Sequence, residues 1–237
     1  KWNGCCPKGG YHPPYRMEGL KIKGKKDEYL TDRLTSMALD FMGQSKDKPF
    51  FLYLSYFSVH DPIQGRKDLV DKYRVKQATL PPLEGPPFIL EGNPDDKAPL
   101  SREKLTDLLG KSSHQGHKVL PQRTIKIKQR QDNVEFAAMV ESVDESLGRV
   151  LEKLDEMGQT DNTIVIFYSD NGGMSAGNFG NPTRVVQHNQ LDPAYATSNL
   201  PLLRAQGWLY EGGIPLPSTV QRSGPGRAAE VYADPGL

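Results

Sequence analysis

Two short stretches carry residues whose types and spacing can do chemistry. In "IVIFYSDNGG" an apolar run from Ile164 to Tyr168 stops at Ser169, Asp170, Asn171 and the glycines Gly172 and Gly173. Side by side, Asp170 and Asn171 offer three side-chain oxygens, a hard donor set that suits Ca²⁺ or Mg²⁺ better than zinc. The same residues also read as a polar turn after a strand, with the aspartate capping a following helix. In "FFLYLSYFSVHDP" a second apolar run ends in His60, Asp61 and Pro62. His60 could donate a hydrogen bond or a proton to an oxygen, or be an ordinary satisfied loop histidine. Other candidates are thinner. His114 and His117 sit three apart in a Gly/Ser-rich loop without two further zinc ligands. His12 and His188 lie in Pro- or Asn-rich loops where solvent satisfies them, and Glu211 precedes a glycine pair that reads as a tight turn. Cys5 and Cys6 are adjacent, which disfavours a bond between them. There is no P-loop or dinucleotide fingerprint.

The elements that must position these groups follow from periodicity. Leu30, Leu34, Met37, Ala38 and Phe41 predict a helix from about Tyr29 to Gln44, with Thr31 or Asp32 as N-cap. Pro49 introduces "FFLYLSYF", too apolar to have one wet face, which suits a central strand covered on both sides. A short helix is expected around Asp68 to Val75. Residues 79–128 are the least regular part and read as an insertion or functional surface loop. Phe136, Val140, Val143, Leu147, Val150, Leu151, Leu154 and Met157 then predict the strongest helix, stopped by Gly158 and followed by a strand over Thr163 to Tyr168. Two helix–strand pairs of this kind predict an α/β fold with a largely parallel central sheet flanked by helices. In such sheets ligands bind outside the carboxyl ends of the strands, where both polar stretches would then lie.

The bulk numbers permit this. The chain has 237 residues, enough for one large domain, with 36% hydrophobic and 25% charged residues. A net charge of +1 without a long single-sign run gives no reason to expect nucleic acid. No apolar run reaches the roughly 18 residues of a membrane span. The chain begins at Lys1 without a signal peptide and ends without clear periodicity, so both ends are expected to be incomplete.

Beyond these patterns, the blocks "YLTDRLTSMALDF", "PFFLYLSYFSVHDPIQ", "FAAMVESVDESLGRVLEKLDEMGQTDNTIVIFYSDNGG" and "RAQGWLYEGGI" resemble consecutive blocks of the sulfatases, of the alkaline-phosphatase-like superfamily. The likeness is to bacterial sulfatases of the arylsulfatase and N-acetylgalactosamine-6-sulfatase type and spans about residues 1 to 215, part of one catalytic domain. It implies hydrolysis of a sulfate ester, carried by a small molecule or a glycan, using a formylglycine nucleophile and Ca²⁺ that neutralises developing charge. By position, Asp170 and Asn171 match the family's late pair of calcium ligands. His60, in an H-x-P block, matches the histidine that contacts the sulfate or leaving-group oxygen, and Pro62 would fix the turn that aims it. The resemblance also implies a periplasmic or extracellular enzyme.

Several features depart from the family's pattern. "CCPKG" has lysine and glycine where the C-x-P-S-R nucleophile motif has serine and arginine, so Cys5 is not the expected nucleophile. The early Asp-Asp calcium ligands are also absent from this chain. In "LLRAQGWLYEGG", Gln206 stands where the family has a sulfate-contacting lysine; Arg204, two residues away, could substitute after a one-residue shift. Gln206 can donate a hydrogen bond but carries no charge, which weakens transition-state stabilisation. After Ile214, "PLPSTVQRSGPG" departs from the expected apolar strand. The alternatives are a decayed, non-catalytic paralogue and a phosphodiesterase of the same superfamily. The 237 residues alone are expected to hold calcium weakly and to turn over no sulfate ester.

Overall fold

The computed structural model describes residues 7–17, 19–20, 24–85, 88–93, 96–111, 121, 124–173, 197–200 and 218–222. In chain order its elements are α1 (Leu30–Gln44), α2 (Lys67–Ala78), β1 (Phe88–Glu91), α3 (Arg102–Lys111), β2 (Ile125–Lys128), α4 (Val134–Glu156), β3 (Ile164–Tyr168) and β4 (Ser218–Arg222), with a 3-10 turn at Thr160–Asn162. They fall into two units. The first comprises Lys1–Thr79, Val134–Tyr168 and Pro217–Asp234; the second comprises Leu80–Asn133, Ser169–Leu216 and Pro235–Leu237.

In the first unit α4 packs against both α1 and α2. α1 and α4 form where the apolar spacing predicts them, and α2 contains the short helix expected around Asp68 to Val75, but α1 and α4 are rotated from the expected faces. The buried stripe of α1 is Leu30, Thr31, Thr35, Ala38 and Met42, and that of α4 is Ala138, Met139, Ser142, Ser146, Val150 and Leu154. Met37, Phe41 and Val140, expected inside, are exposed. Short hydroxyl side chains take their place because each finds a partner. Thr35 Oγ1 donates to Thr31 O at 2.7 Å, Ser142 Oγ donates to Ala138 O at 2.8 Å, and Thr35 pairs with Ser146 at 2.5 Å. Neither expected N-cap acts, since Tyr29 occupies the cap position without a side-chain bond. Instead Leu30 N–H donates to Tyr11 O at 2.9 Å, so a distant loop satisfies the helix end. Gly158 stops α4 as expected: its φ of +63° lets Gln159 N–H turn back to Leu154 O at 2.9 Å.

The expected parallel sheet is not found. Among the described residues there are two two-stranded sheets, β1–β2 and β3–β4, and both are antiparallel. Strand β3 pairs with β4 from Ile164 opposite Arg222 to Tyr168 opposite Ser218. Residues 50–57 join no ladder. The run 50–57 is expected to be covered on both sides and 163–168 to be a continuous apolar strand, yet in both only alternate side chains are packed. Phe50, Leu52, Leu54 and Val165 lie against Met42, Val150 and Leu154. Phe51 is 85% exposed, Tyr53 69%, Ile164 60% and Ile166 62%. A helix followed by an apolar segment fixes only the local connection. Which strand pairs with which, and in what direction, is decided by distant residues.

A second cluster in this unit gathers Tyr11, Tyr15, Met17, Leu20, Tyr29, Leu30 and Met139. Tyr11 and Tyr29 stack with ring centroids 5.7 Å apart and are almost wholly buried. Burial pushes both hydroxyls well above the ordinary phenol range, and for Tyr11 the neighbouring Tyr29 adds to the rise. The unfolded chain releases these protons near about pH 10, whereas the folded chain keeps them. Stability is therefore full below about pH 10 and falls above it, by roughly 1.4 kcal/mol per pH unit for each tyrosine. Denaturant unfolding followed through this range should show the midpoint falling steeply, and less steeply in a Tyr29→Phe variant. A midpoint unchanged through about pH 12 would contradict this assignment.

Gly65 marks where the loop into α2 touches α4. A Cβ there would lie 2.6 Å from Val70 Cγ2, 2.7 Å from Ala138 Cβ and 2.9 Å from Glu135 O. Two of those three atoms belong to α4 and cannot swing aside as a flexible chain end would. Gly65→Ala is expected to cost about 1–3 kcal/mol of folding free energy, the range for overpacking. Chemical unfolding of the variant checks this, and an unchanged midpoint would show that the two helices separate freely.

In the second unit β1 pairs with β2, and α3 packs on β1, burying Phe88, Leu90 and Leu105. Residues 79–128, read from sequence as irregular, thus contain β1, β2 and α3. Arg102 bonds the buried carboxylate of Glu91 at 2.5 Å and secures α3 to the β1–β2 sheet.

Candidate functional site

His60 sits on the loop between the apolar segment 50–57 and α2, in the first unit. Its backbone is held from several sides. His60 N–H donates to Phe57 O at 2.9 Å. The Tyr11 hydroxyl lies 2.6 Å from Phe57 O and 2.9 Å from His60 O, one proton shared between two carbonyls. Tyr29 OH donates to Gln64 O at 2.8 Å, and Ser58 Oγ pairs with Thr31 Oγ1 of α1 at 2.9 Å. Gly65 N–H donates to the Glu135 carboxylate of α4 at 2.7 Å. Arg66 closes the loop by pairing with Asp68 at 2.7 Å, Glu145 at 2.7 Å and Asp32 at 3.3 Å. That guanidinium holds the Asp68 carboxyl below its ordinary range. The imidazole itself is partly exposed, with Nδ1 3.3 Å from Asp61 O. Asp61 and Pro62 are exposed, and the bond between them is cis. The loop is therefore fixed through its main chain while the ring faces outward enough to meet a ligand.

Asp170 and Asn171 follow β3 on a bend in the second unit. Ser169 Oγ donates to Asn171 O at 2.8 Å. Asn199 grips the far side of the bend: Gly173 N–H donates to Asn199 Oδ1 at 3.1 Å, and Asn199 Nδ2 donates to Gly173 O at 2.7 Å. Gly173 is needed because a Cβ there would stand 2.7 Å from Thr197 Cγ2. The segment that approaches it is held by Gln131, which accepts from Ser198 N–H at 3.2 Å and also bonds Thr197 Oγ1 and Ser198 O. The Asp170 side chain is exposed and that of Asn171 partly so.

By donor chemistry, Asp170 and Asn171 fit two positions in the oxygen shell of Ca²⁺, which takes six to eight oxygens. Among the described residues no group of three or more His, Cys, Asp or Glu side chains is gathered to hold a metal. The pair thus fits as part of a shell and not as a whole one. Gln206 and Arg204, together with Glu211, Cys5, Cys6, His114, His117 and His188, lie outside the described residues. His12, expected in open solvent, is partly buried, its ring 5.3 Å from that of Tyr29. A cleft of about 310 Å³ between α4 and β3, lined by Leu151, Leu154, Thr163 and Val165 among others, contains none of the candidate residues.

Tyr11, Asn199 and Gln131 escaped the reading of the sequence. The only local signal for Tyr11 is the Gly9–Gly10 pair before it, whose φ angles of +93° and +82° permit the turn that buries the ring. Asn199 and Gln131 carry no such mark.

A family model described as "Sulfatase" matches residues 4–215. The chain is 28% identical over 214 residues to a protein named "Sulfatase" from Formosa agariphila, covering 86% of this chain and 26% of that protein. It is 27% identical over 224 residues to an uncharacterized sulfatase of Schizosaccharomyces pombe, covering 84% of this chain and 39% of that protein. Human iduronate 2-sulfatase is 28% identical over 142 residues, 58% of this chain and 24% of its own length. The chain therefore spans from 24% to 39% of the length of these curated relatives. Among the described residues no helix is long and apolar enough to cross a membrane.

Proposed function

The chain belongs to the sulfatase family, and from that premise we propose that it takes part in hydrolysing the sulfate ester of a carbohydrate, in the manner of N-acetylgalactosamine-6-sulfatases. A human relative named iduronate 2-sulfatase supports a sugar sulfate as the substrate class. In this reading His60 hydrogen-bonds the sulfate or the oxygen that leaves it, and as an imidazolium can hand that oxygen a proton. Asp170 and Asn171 supply part of the shell of a Ca²⁺ ion, which when bound offsets negative charge on the sulfate oxygens. Gln206 or Arg204 donates a further hydrogen bond to the anion. The covalent nucleophile lies outside these residues, since no C-x-P-S-R occurs among them. A periplasmic or extracellular setting belongs to the same reading.

One observation carries the proposal. Both candidate loops are tied down through their main chain by distant side chains, by Tyr11 at His60 and by Asn199 at Gly173. Placement by groups other than the reacting ones is what preorganised chemistry requires. The uncharged Gln206 favours one second reading, a relative that keeps the scaffold and has lost turnover.

The native protein, purified as its own cell makes it, should be assayed against 4-nitrophenyl sulfate, a sulfated N-acetylgalactosamine and bis(4-nitrophenyl) phosphate, with calcium or zinc supplied. Hydrolysis of the sulfate esters with calcium is expected, the phosphodiester reacting far more slowly. Preference for the phosphodiester with zinc would point to a phosphodiesterase. Hydrolysis of none of the three would support the non-catalytic reading.

A further inference from the structure

Tyr11 belongs to a glycine- and proline-rich loop, yet it is the most completely enclosed aromatic residue near His60. Gly10 makes this possible: its φ is +82°, and a Cβ there would meet Gln64 Oε1 at 2.4 Å. That close approach lets Tyr11 N–H donate to Gln64 Oε1 at 3.0 Å, four residues beyond His60. From the other side of the ring, the hydroxyl reaches Phe57 O and His60 O. The stretch from Phe57 to Gln64 is thus held at both ends by one residue. Tyr29 stacks on the ring and bonds Gln64 O, four residues beyond His60.

We propose that Tyr11 is the positioning residue for His60, its buried hydroxyl fixing the His60 carbonyl and thereby the direction of the imidazole. This rests on the reading of His60 as a site residue. The hydroxyl is suited to the task because burial keeps it protonated, and so a donor, throughout the ordinary pH range. Tyr11→Phe removes only that donor and leaves the ring to stack on Tyr29. The backbone can then relax by a fraction of an ångström, and misplacement of about 1 Å can cost on the order of a hundredfold in rate.

The test uses the native protein and three variants, Tyr11→Phe, Tyr29→Phe and His60→Ala. Histidine labelled at Cε1 gives a His60 resonance, assigned by its loss in His60→Ala. In Tyr11→Phe that resonance is expected to shift or broaden, while kcat for a sulfate ester falls about tenfold and KM changes little. Tyr29→Phe removes a comparable buried hydroxyl bond four residues beyond His60 and should lower thermal stability while moving the resonance and kcat less than Tyr11→Phe does. An unmoved His60 resonance in Tyr11→Phe would overturn the proposal, as would equal kcat losses in the two tyrosine variants. If His60→Ala leaves turnover intact while the resonance still moves in Tyr11→Phe, the catalytic reading of His60 fails and the clamp stands.

Discussion

His60→Ala in the native protein should lower turnover of a carbohydrate sulfate by roughly 10²–10⁴-fold, the ordinary worth of a positioned acid or base. The fold should survive, because His60 meets Phe57 and Tyr11 through main-chain atoms that alanine retains. His60 N–H still donates to Phe57 O, and His60 O still accepts from Tyr11. The loop's remaining anchors, from Thr31, Glu135 and Glu145, are untouched. Comparing leaving groups sharpens the expectation. A sugar alkoxide is a poor leaving group and gains from a proton, whereas 4-nitrophenolate leaves readily without one. If His60 acts as the acid, the loss is large for the sugar sulfate and small for the aryl sulfate. If it only binds the anion, the losses are equal. Turnover within twofold of the native protein for both esters would remove His60 from the site.

Calcium withdrawal should have an effect of similar size. Chelation of the native protein is expected to abolish sulfate release, and calcium return to restore it, because affinity and charge at such sites depend on the carboxylate count of the shell. Asp170→Asn retains size and hydrogen-bonding capacity but removes one negative charge, and should weaken calcium binding by roughly a hundredfold. The bend itself should remain, since Asn199 and Ser169 hold it without using the Asp170 side chain. Binding can be read without turnover. Calcium at about a hundred times its dissociation constant should stabilise the native protein by about 2.7 kcal/mol, and the same concentration should do much less for Asp170→Asn. Equal stabilisation of both proteins would place the cation elsewhere.

How much of this was legible in the sequence depended on whether the deciding contacts were local. The helix α4 was readable because its apolar residues recur every three or four positions and Gly158 closes it. Its face was not, because hydropathy cannot know that Ser142 and Ser146 are buried with their hydroxyls satisfied by α4 itself and by α1. The apolar segments 50–57 and β3 were visible as segments, but their pairing was not. Nothing within Ile164–Tyr168 specifies an antiparallel neighbour drawn from Ser218–Arg222. Of the candidate site, His60, Asp170 and Asn171 stood out by residue type at the ends of apolar runs. The residues that hold them, Tyr11 and Asn199, reach across 49 and 26 positions of sequence and leave no local pattern.

The most direct measurement is of inorganic sulfate released by the native protein in ¹⁸O-labelled water, with calcium present, alongside His60→Ala. The expected result is sulfate release with the label in the sulfate, an unlabelled alcohol, and near-complete loss of the reaction in the variant. Label in the alcohol would contradict attack at sulfur, and equal rates in the two proteins, or no sulfate from aryl or carbohydrate esters, would contradict a sulfate-ester hydrolysis that depends on His60.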